Sequence, residues 1–550
     1  MDKTRISEHV VNSKSGINSA TRTFHSLRLP LELPPPHASL SVADYVFSRR
    51  RNSPWSDPVA LIDAATRRRV SYSEFTHRTL TLAANLSSLI GLSKGDTAFI
   101  LSSNLVKVPI LYFALLSLGV IVSPANPIST DSEISRLVEL SKPIIAFATS
   151  STGDKLPKLC LGAILLDSPE FDSLMTTTNT HSNLPLPRAE VSQSDVAAIL
   201  YSSGTTGKMK GVMLTHRNLT ASVASYNSAS PQRKSPALFL HTMAYFHVYG
   251  FAYCLRSVAL SETVVLMERF SLRGMLSAVE KFRVTHLALV PPVVVAMIKI
   301  GITEGYDLSS LEGVRCGAAP LGKDIVAAFH RKFPTVVLAQ GYGLTESTAT
   351  VALTVGPVEA RRAGTTGKLI AGIEAKIIDP NTGESMLPNE QGEIWLRGPS
   401  IMKAGYVGDS EASSATLVDG WLKTGDLGYI DQEGFLYIVD RLKELIKYKA
   451  YQVAPAELEQ LLQSHPDIKD AAVVPYPDEE GGQVPLACVV RQPQSSLGEA
   501  EIIDFIARQV APYKKIRRVA FVDSIPKTAS GKILRKDLTK IVLQKSFSKL

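Results

Sequence analysis

The sequence predicts an α/β protein of two domains. The large N-terminal domain has parallel-rich sheets with covering helices plus a β-subdomain, and the C-terminal domain is small and α+β. Three observations carry this. A chain of 550 residues is too long for one ordinary domain. From about Ser41 to Asp440, short β-rich runs alternate with helical patterns, which is how parallel sheets are built. Beyond Asp440-Arg441-Leu442-Lys443 the pattern starts afresh, with enough length for a second core.

In chain order, residues 1–40 are polar and read as a flexible N-terminal segment. The domain at 41–440 carries β-runs at Thr97–Leu101, Ile144–Phe147, Thr263–Met267, His286–Val290 and Val336–Ala339. The apolar run Val108–Val122 is broken by Pro109, Ser117 and Gly119, so it reads as a buried helix passing into a strand and not as a membrane span. Around Gly364–Arg397 the pattern turns hairpin-like, with Asp379-Pro-Asn-Thr-Gly383 as a turn. In the domain at 441–550 we read a helix at Ala454–Ser464, strands at Asp470–Val474 and Ala487–Arg491, a helix at Glu499–Val510 and a strand at Arg518–Val522. Pro526–Ile533 reads as a mobile Gly/Ser-rich loop, and Gln544–Ser548 as an exposed tail.

Composition narrows the function classes. With 45% hydrophobic and 20% charged residues the chain is a soluble globular protein with ample core, and its net charge of +8 is not gathered into a stripe with interleaved aromatics. That argues against a nucleic-acid partner. The basic residues cluster at Arg441–Lys449 and Lys514–Arg518, beside candidate phosphate sites. Cys160, Cys254, Cys316 and Cys488 form no CxxC pair, which fits a reducing interior and argues against zinc or a disulfide framework. No signal peptide pattern is present, and Asp2 and Glu8 count against a transit peptide. The chain ends in Ser548-Lys549-Leu550, a tripeptide that the peroxisomal import receptor reads at a C-terminus.

Five clusters carry the chemistry. The first is Tyr201-Ser-Ser-Gly-Thr-Thr-Gly-Lys-Met-Lys-Gly211, which follows the buried run Asp195–Leu200. Its glycines admit close backbone approach, its hydroxyls donate, and Lys208 and Lys210 supply charge, a combination suited to phosphate. It is not the P-loop of ATPases, because Gly204 and Gly207 stand two residues apart and Met209 follows Lys208. The second is Gln340-Gly-Tyr-Gly-Leu-Thr-Glu-Ser347, where Thr345 can bond a phosphate and Glu346 can hold a hard cation such as Mg²⁺. Just upstream, Cys316-Gly-Ala-Ala-Pro320 offers a wall of small residues for a flat base. The third is Gly420–Gly428, whose Asp426 is placed to accept from ribose hydroxyls or simply to cap a turn. Asp440–Lys449 and Ser530-Gly-Lys532 complete the set; read singly, their lysines are surface charges.

In this order the clusters resemble the ANL adenylating enzymes, over nearly the whole chain from Ser41 to Leu538. The run Arg441–Lys449 followed by Gln452-Val-Ala-Pro-Ala-Glu457 is similar to the plant 4-coumarate:CoA ligase-like branch, and Ser-Lys-Leu points to its peroxisomal members. The resemblance implies the ANL fold with a mobile C-terminal domain, ATP, Mg²⁺ and coenzyme A as requirements, and a carboxylic acid joined to CoA through an acyl-adenylate. It implies that Ser202, Ser203, Gly204, Thr205, Thr206, Gly207 and Lys210 hold the β- and γ-phosphates, with Thr345 on the α-phosphate and Glu346 on the metal. Gly317, Ala318, Ala319, Gln340, Gly341 and Tyr342 would flank the adenine, and Asp426 and Arg441 the ribose. Lys532 would bridge carboxylate and α-phosphate, Lys443 would serve as hinge, and Lys447 and Gln452 as further nucleotide- and tunnel-facing positions. Arg269, Lys449 and Ala450 match CoA-contacting positions, and His247 matches a positioning or gating histidine beside the acyl carboxylate.

The acyl pocket by the same match is Val248, Tyr249, Ala252, Ala288, Arg315, Gly317, Ala318, Gly343, Ala349, Thr350 and Val351. Typical coumarate ligases carry asparagine, methionine, lysine and proline at 252, 288, 315 and 349, so this chain loses a polar partner and gains room. That favours an apolar acid, such as a fatty acid, an oxylipin of the jasmonate-precursor type, or a plain cinnamate or benzoate. Ala450 stands where the branch has glycine, which puts a methyl near the CoA approach. A 4-coumarate ligase proper and a luciferase-type oxidase share the motifs and stay open as alternatives. A sensor that has lost catalysis would be expected to lose Lys532, Thr345 or Asp426, and all three are present.

Overall fold

The computed structural model describes residues 11–51, 54–177, 190–202, 209–229, 233–299, 301–319, 321–449, 451–478, 482–528 and 531–547. Two mixed sheets form the bulk of the N-terminal domain. In the first, strands Val337–Leu344, Gly313–Cys316, His286–Leu289, Leu238–His241, Thr263–Leu266 and Val59–Asp63 run parallel side by side. Antiparallel strands close both edges, Arg69–Ser71 at one and Ala349–Leu353 with Lys368–Leu369 at the other. In the second, Ala163–Leu165, Ile145–Ala148, Thr97–Leu101, Ile121–Ala125 and Val196–Ser202 are parallel, and Lys210–Thr215 folds back antiparallel on the last. Helices pack between and around them. Lys107–Ser117 is apolar on every side and fully buried from Val108 to Leu116, as a helix without a polar face must be. Replacing Leu115, which is completely buried, by alanine would cost about 2–5 kcal/mol in transfer and cavity terms.

The β-subdomain expected near Gly364–Arg397 is a larger antiparallel sheet. Strands Glu374–Ile378, Gly392–Arg397, Trp421–Ile430 and Leu436–Arg441 form its centre, and the Asp379–Gly383 turn closes with Gly383 N donating to Asp379 O. Its other edge corrects, for residues 17–28, the reading of the N-terminal segment as flexible. Ile17–Asn18 and Thr23–His25 pair with each other, and Thr23–His25 pairs onto Glu374–Ile378. Phe24 is fully buried there and Arg28 is held bidentately by Glu359, so two short strands with one aromatic anchor escaped a composition-based reading.

The C-terminal region carries its own core around Ile446, Leu458, Leu462, Val473, Val489 and Ile506. The expected helices and strands are present as Pro455–Ser464, Ile468–Asp478, Gly482–Arg491, Glu499–Ala507 and Arg518–Phe521. A hairpin, Ile446–Tyr448 with Tyr451–Val453, precedes them. The segment read as an exposed tail at 544–548 is instead helical through Phe547, within Arg535–Phe547, while Ser548-Lys549-Leu550 lies outside the described residues. The Pro526–Ile533 loop is tied into a turn: Thr528 N donates to Lys532 O and Gly531 N to Thr528 O.

Candidate active site

Three strand ends and one C-terminal loop meet at a cavity of about 410 Å³ between the two domains. The first contribution is Val337–Leu344. Up to Gln340 it is a buried parallel strand beside Gly313–Cys316; from Gly341 it changes partner and pairs antiparallel with Ala349–Leu353. The switch needs glycine at 343, because a Cβ there would stand 1.4 Å from the Ala349 carbonyl oxygen. The connecting turn is tight, with Thr348 and Ala349 at φ +56° and +77° and Leu344 N donating to Ser347 Oγ (2.9 Å). Thr345 and Glu346 stand at its bend. Ser202 Oγ (3.0 Å) and Tyr406 Oη (3.1 Å) both donate to Glu346 Oε1, and Lys210 Nζ lies 4.5 Å over the Tyr406 ring. The first phosphate cluster therefore meets the second through Ser202 and Lys210; Ser203, Gly204, Thr205, Thr206 and Gly207 lie outside the described residues.

The second contribution is the Trp421–Ile430 and Leu436–Arg441 pair, whose register sets Asp426 opposite Arg441. Tyr342 Oη donates to Asp426 Oδ2 (2.6 Å), and Arg441 Nε lies 3.4 Å from Oδ1. Burial raises the Asp426 pKa, and the Arg441 charge and the Tyr342 hydrogen bond oppose that rise. The third is the wall at 316–319: Cys316, Ala318 and Ala319 line the cavity, Ala318 at φ +73°. Gln340 lines it too, and its Nε2 has no partner among the described residues.

The fourth comes from the C-terminal region. Lys532 lines the same cavity, and Gly531 is close enough to Val290 and Pro292 that a Cβ would touch them at 3.5 Å. Burial first, then the charges of Arg441 and Lys443, lower the Lys532 pKa to about 8. Lys443 is lowered by the same two kinds of cause, burial and then Arg441. Nearby, Arg535 is fully engaged by Glu444 (2.9 Å) and Glu459, and Asp440, raised to about 6 by burial, accepts from the Ala456 and Arg441 amides. Arg535 and Tyr406 were not singled out in the sequence, where each is one more charged or aromatic residue with no motif around it.

The acyl-pocket positions cluster beside this cleft. Val248, Ala252, Ala288, Ala349 and Val351 are buried. Tyr249 packs on Gly317, where a Cβ would come 3.8 Å from its ring, and Thr350 Oγ1 lies 2.6 Å from Tyr226 Oη. His247 caps the helix Val248–Ala259, its Nδ1 accepting from Tyr249 N (3.3 Å), and burial lowers it to about 4. Burial thus favours its neutral, weakly basic form, with Nδ1 tied to the first turn of the helix.

The structure does not bring the remaining positions to the cleft. Lys447 and Gln452 face each other across the exposed hairpin, and Lys449 (φ +52°) lines a separate hollow of about 380 Å³ with Tyr448, Arg517 and Arg518. Arg269 is exposed after the strand Thr263–Leu266, and Ala450 lies outside the described residues. Among the described residues no three His, Cys, Asp or Glu side chains gather as a metal cage. A lone carboxylate such as Glu346, completed by substrate phosphates, is an arrangement Mg²⁺ accepts.

Comparison with known proteins fits this geometry. The family model described as AMP-binding enzyme matches residues 48–407, and that described as AMP-binding enzyme C-terminal domain matches residues 457–532. The chain is 50% identical to 4-coumarate–CoA ligase-like 9 of Arabidopsis thaliana, covering 98% of each. It is 46% identical to the peroxisomal OPC-8:0-CoA ligase 1 of the same plant, covering 98% of this chain and 99% of that one. Among solved structures, o-succinylbenzoate coenzyme A synthetase of Bacillus subtilis, in complex with ATP and magnesium ion, is 28% identical with a TM-score of 0.77, covering 90% and 99%.

Proposed function

The chain belongs to the AMP-binding enzyme family, and we propose from that premise how its cleft works. The activity class is that of an AMP-forming carboxylic acid–CoA ligase. In the first half-reaction a substrate carboxylate oxygen attacks the α-phosphorus of ATP and the bond to pyrophosphate breaks, giving an acyl-adenylate. In the second the CoA thiolate attacks the acyl carbon and AMP leaves. The first step brings two anions together, so the protein's work there is positioning and charge compensation.

In our reading, Gln340–Tyr342 and the 317–319 wall hold the adenine, with the unpartnered Gln340 amide as donor. Asp426 accepts from the ribose, and the Arg441 charge opposes the effect of burial on its carboxyl. Thr345 and Ser202 donate to phosphate oxygens, Lys210 adds charge, and Glu346 would hold Mg²⁺, which would supply charge neutralisation there. Lys532 meets the carboxylate and the α-phosphate. The second step needs a different face of the C-terminal domain. The hairpin carrying Lys447, Lys449 and Gln452, turned away from the cleft here, is the candidate, with Lys443 at the pivot and Arg269 for the CoA nucleotide. The small side chains at 252, 288 and 349 support an acid with an apolar body. The peroxisome belongs to the same proposal, supported by the relative named as peroxisomal and by Ser548-Lys549-Leu550; removing the tripeptide from a fluorescent fusion tests it.

The observation that carries this reading is the convergence on one cavity of Gln340–Leu344, Asp426–Arg441 and, from the other domain, Lys532. The purified chain incubated with ATP, Mg²⁺, CoA and a panel of fatty, oxylipin-type and aromatic acids should release AMP and form thioesters with some of them. Failure with every acid would refute it.

A further inference from the structure

The helix Pro455–Ser464 of the C-terminal domain supplies no side-chain cap of its own at either end. Ala454 stands at its N-cap with no side chain that can accept, and no basic residue lies in its last turn. Pro455 has no N–H, so Ala456 carries the first amide of the helix that needs an acceptor. Anionic acceptors suit that end of a helix and cationic donors the other. Both come from the N-terminal domain. Asp440, on the strand Leu436–Arg441, takes the Ala456 N–H on its Oδ2 at 2.9 Å, and both residues are buried. Lys299, ending the helix Pro291–Lys299, donates from Nζ to the carbonyls of Gln463 (2.7 Å), Ile468 (2.8 Å) and His465 (3.3 Å). Between these ends Gln460 lies on Gly322, where a Cβ would come 3.4 Å from its side chain. Positions 456, 460 and 463 follow the i, i+4, i+7 spacing, so one face of the helix lies along the other domain.

Two anchors at opposite ends do what one cannot. A helix of 10 residues is about 15 Å long, and a contact at one end alone lets it swivel about that point. Held at both ends, its axis is fixed on the N-terminal domain. A short chain of contacts carries that fixity to the loop bearing Lys532. Glu459, buried in the middle of the helix, accepts from Arg535 Nη1 and from Nη2 (3.1 Å). Arg535 follows Lys532 by three positions, and Leu534 N between them donates to Pro526 O (2.9 Å), which closes the loop. Glu444 takes Arg535 Nε at 2.9 Å, beside the hinge position Lys443. The other Asp440 oxygen accepts from Arg441 N (2.7 Å), so this carboxylate touches both the docked helix and the nucleotide side of the cleft.

We propose that Asp440 is a positioning residue for adenylation: it caps, from the opposite domain, a helix that does not cap itself, and acts with Lys299 as one two-ended grip that sets Lys532 in the cleft. This rests on the reading of Lys532 as the adenylation lysine and adds to it what brings that lysine into place. Turning the domain away breaks both caps together, so the grip belongs to one orientation only.

The test follows the two half-reactions separately in the full chain: pyrophosphate release with acid, ATP and Mg²⁺, and thioester formation from preformed acyl-adenylate and CoA. Asp440→Ala should slow the first by about 2- to 30-fold, the worth of an N-cap, and leave the second unchanged or faster. Asparagine caps a helix as well as aspartate does, so Asp440→Asn should keep most of the wild-type rate. Ala454→Ser added to Asp440→Ala gives the helix an acceptor of its own in either orientation. It should recover melting temperature without recovering adenylation. Asp440→Ala combined with Lys299→Met should cost less than the product of the single effects, because a helix released at one end already swivels at the other. No loss in Asp440→Ala, or equal losses in both half-reactions, overturns the proposal, the second outcome making Asp440 a support of the fold or of Arg441. So does an Asp440→Asn protein as slow as Asp440→Ala, recovery of adenylation by Ala454→Ser, or single effects that multiply in full. Any of these, in a chain whose wild type forms thioesters, sinks this inference alone; a wild type that forms none sinks the ligase reading with it.

Discussion

Lys299 offers the sharpest test of the idea that the C-terminal domain is docked for adenylation in this arrangement. It ends the apolar helix Pro291–Lys299 of the N-terminal domain, and its ammonium crosses to the other domain. Nζ donates to the carbonyls of Gln463 (2.7 Å), Ile468 (2.8 Å) and His465 (3.3 Å), at the C-terminal end of the helix Pro455–Ser464 and the turn after it. A cation at a helix C-terminus meets the carbonyls the helix leaves unpaired. A hydrogen bond from a charged group is worth about 1.5–3 kcal/mol net. The three share one charge and the site is half-buried, so we take about 2–3 kcal/mol in all, or about 30- to 150-fold in favour of this orientation. Lys299→Met keeps the aliphatic stem and removes the ammonium. The assay follows each half-reaction separately: pyrophosphate release with acid and ATP, and thioester formation from preformed acyl-adenylate and CoA. The first should slow by up to that factor while the second is unchanged or faster. Equal losses in both, or no change in either, would refute the docking argument, because a residue that only supported the fold would weaken both alike.

Lys532 should act as a cation, so Lys532→Ala should abolish adenylation while sparing thioester formation from preformed adenylate. With its pKa lowered to about 8, its charge is present below that pH and lost above it. The kcat/KM for adenylation should therefore fall as pH rises through about 8, and in Lys532→Arg that limb should disappear from the accessible range. Asp426→Asn leaves Arg441 and Tyr342 without their carboxylate and should raise the KM for ATP by about 10- to 100-fold, the worth of one charged hydrogen bond; an unchanged KM would remove Asp426 from the nucleotide site. Tyr406→Phe removes one of two hydroxyl donors to Glu346 and should cost about 1 kcal/mol, seen as a severalfold higher Mg²⁺ requirement with the acid KM unmoved.

Much of this was legible in the sequence where local chemistry dictates local geometry. The glycines of 340–344 permit close backbone approach, and Gly343 does sit where no side chain fits. Asp426 and Arg441, fifteen positions apart, come together in the sequence only through the resemblance; Asp426 reads there as a turn residue, and the strand pair that sets it opposite Arg441 is visible only in the structure. What stayed hidden depends on distant surfaces. Lys299 is a lone lysine after an apolar run, and nothing near it in sequence says that it spans a domain boundary. The strands Ile17–Asn18 and Thr23–His25 are too short for any periodicity, and only the sheet edge at Glu374–Ile378 defines them.

The proposed separation of the two domains has a basis in the electrostatics of the cleft. Arg441 and Lys443 each lower the pKa of Lys532, so bringing the C-terminal lysine to the cleft places three cations where they disfavour one another. A polyphosphate reverses that sign, and the repulsion becomes attraction that strengthens as negative charge gathers around the α-phosphate. Once pyrophosphate departs, most of that compensation goes with it and the cations oppose one another again. What then holds the domains includes the Lys299 contact, the packing of Gly531 on Val290 and Pro292, and the Ala456 amide on Asp440. A contact worth about 2–3 kcal/mol is strong enough to select one orientation while the polyphosphate is bound and weak enough to yield afterwards. Lys299→Met should accordingly shift the balance of the two half-reactions more at high ionic strength, where screening weakens the polyphosphate's attraction, than at low.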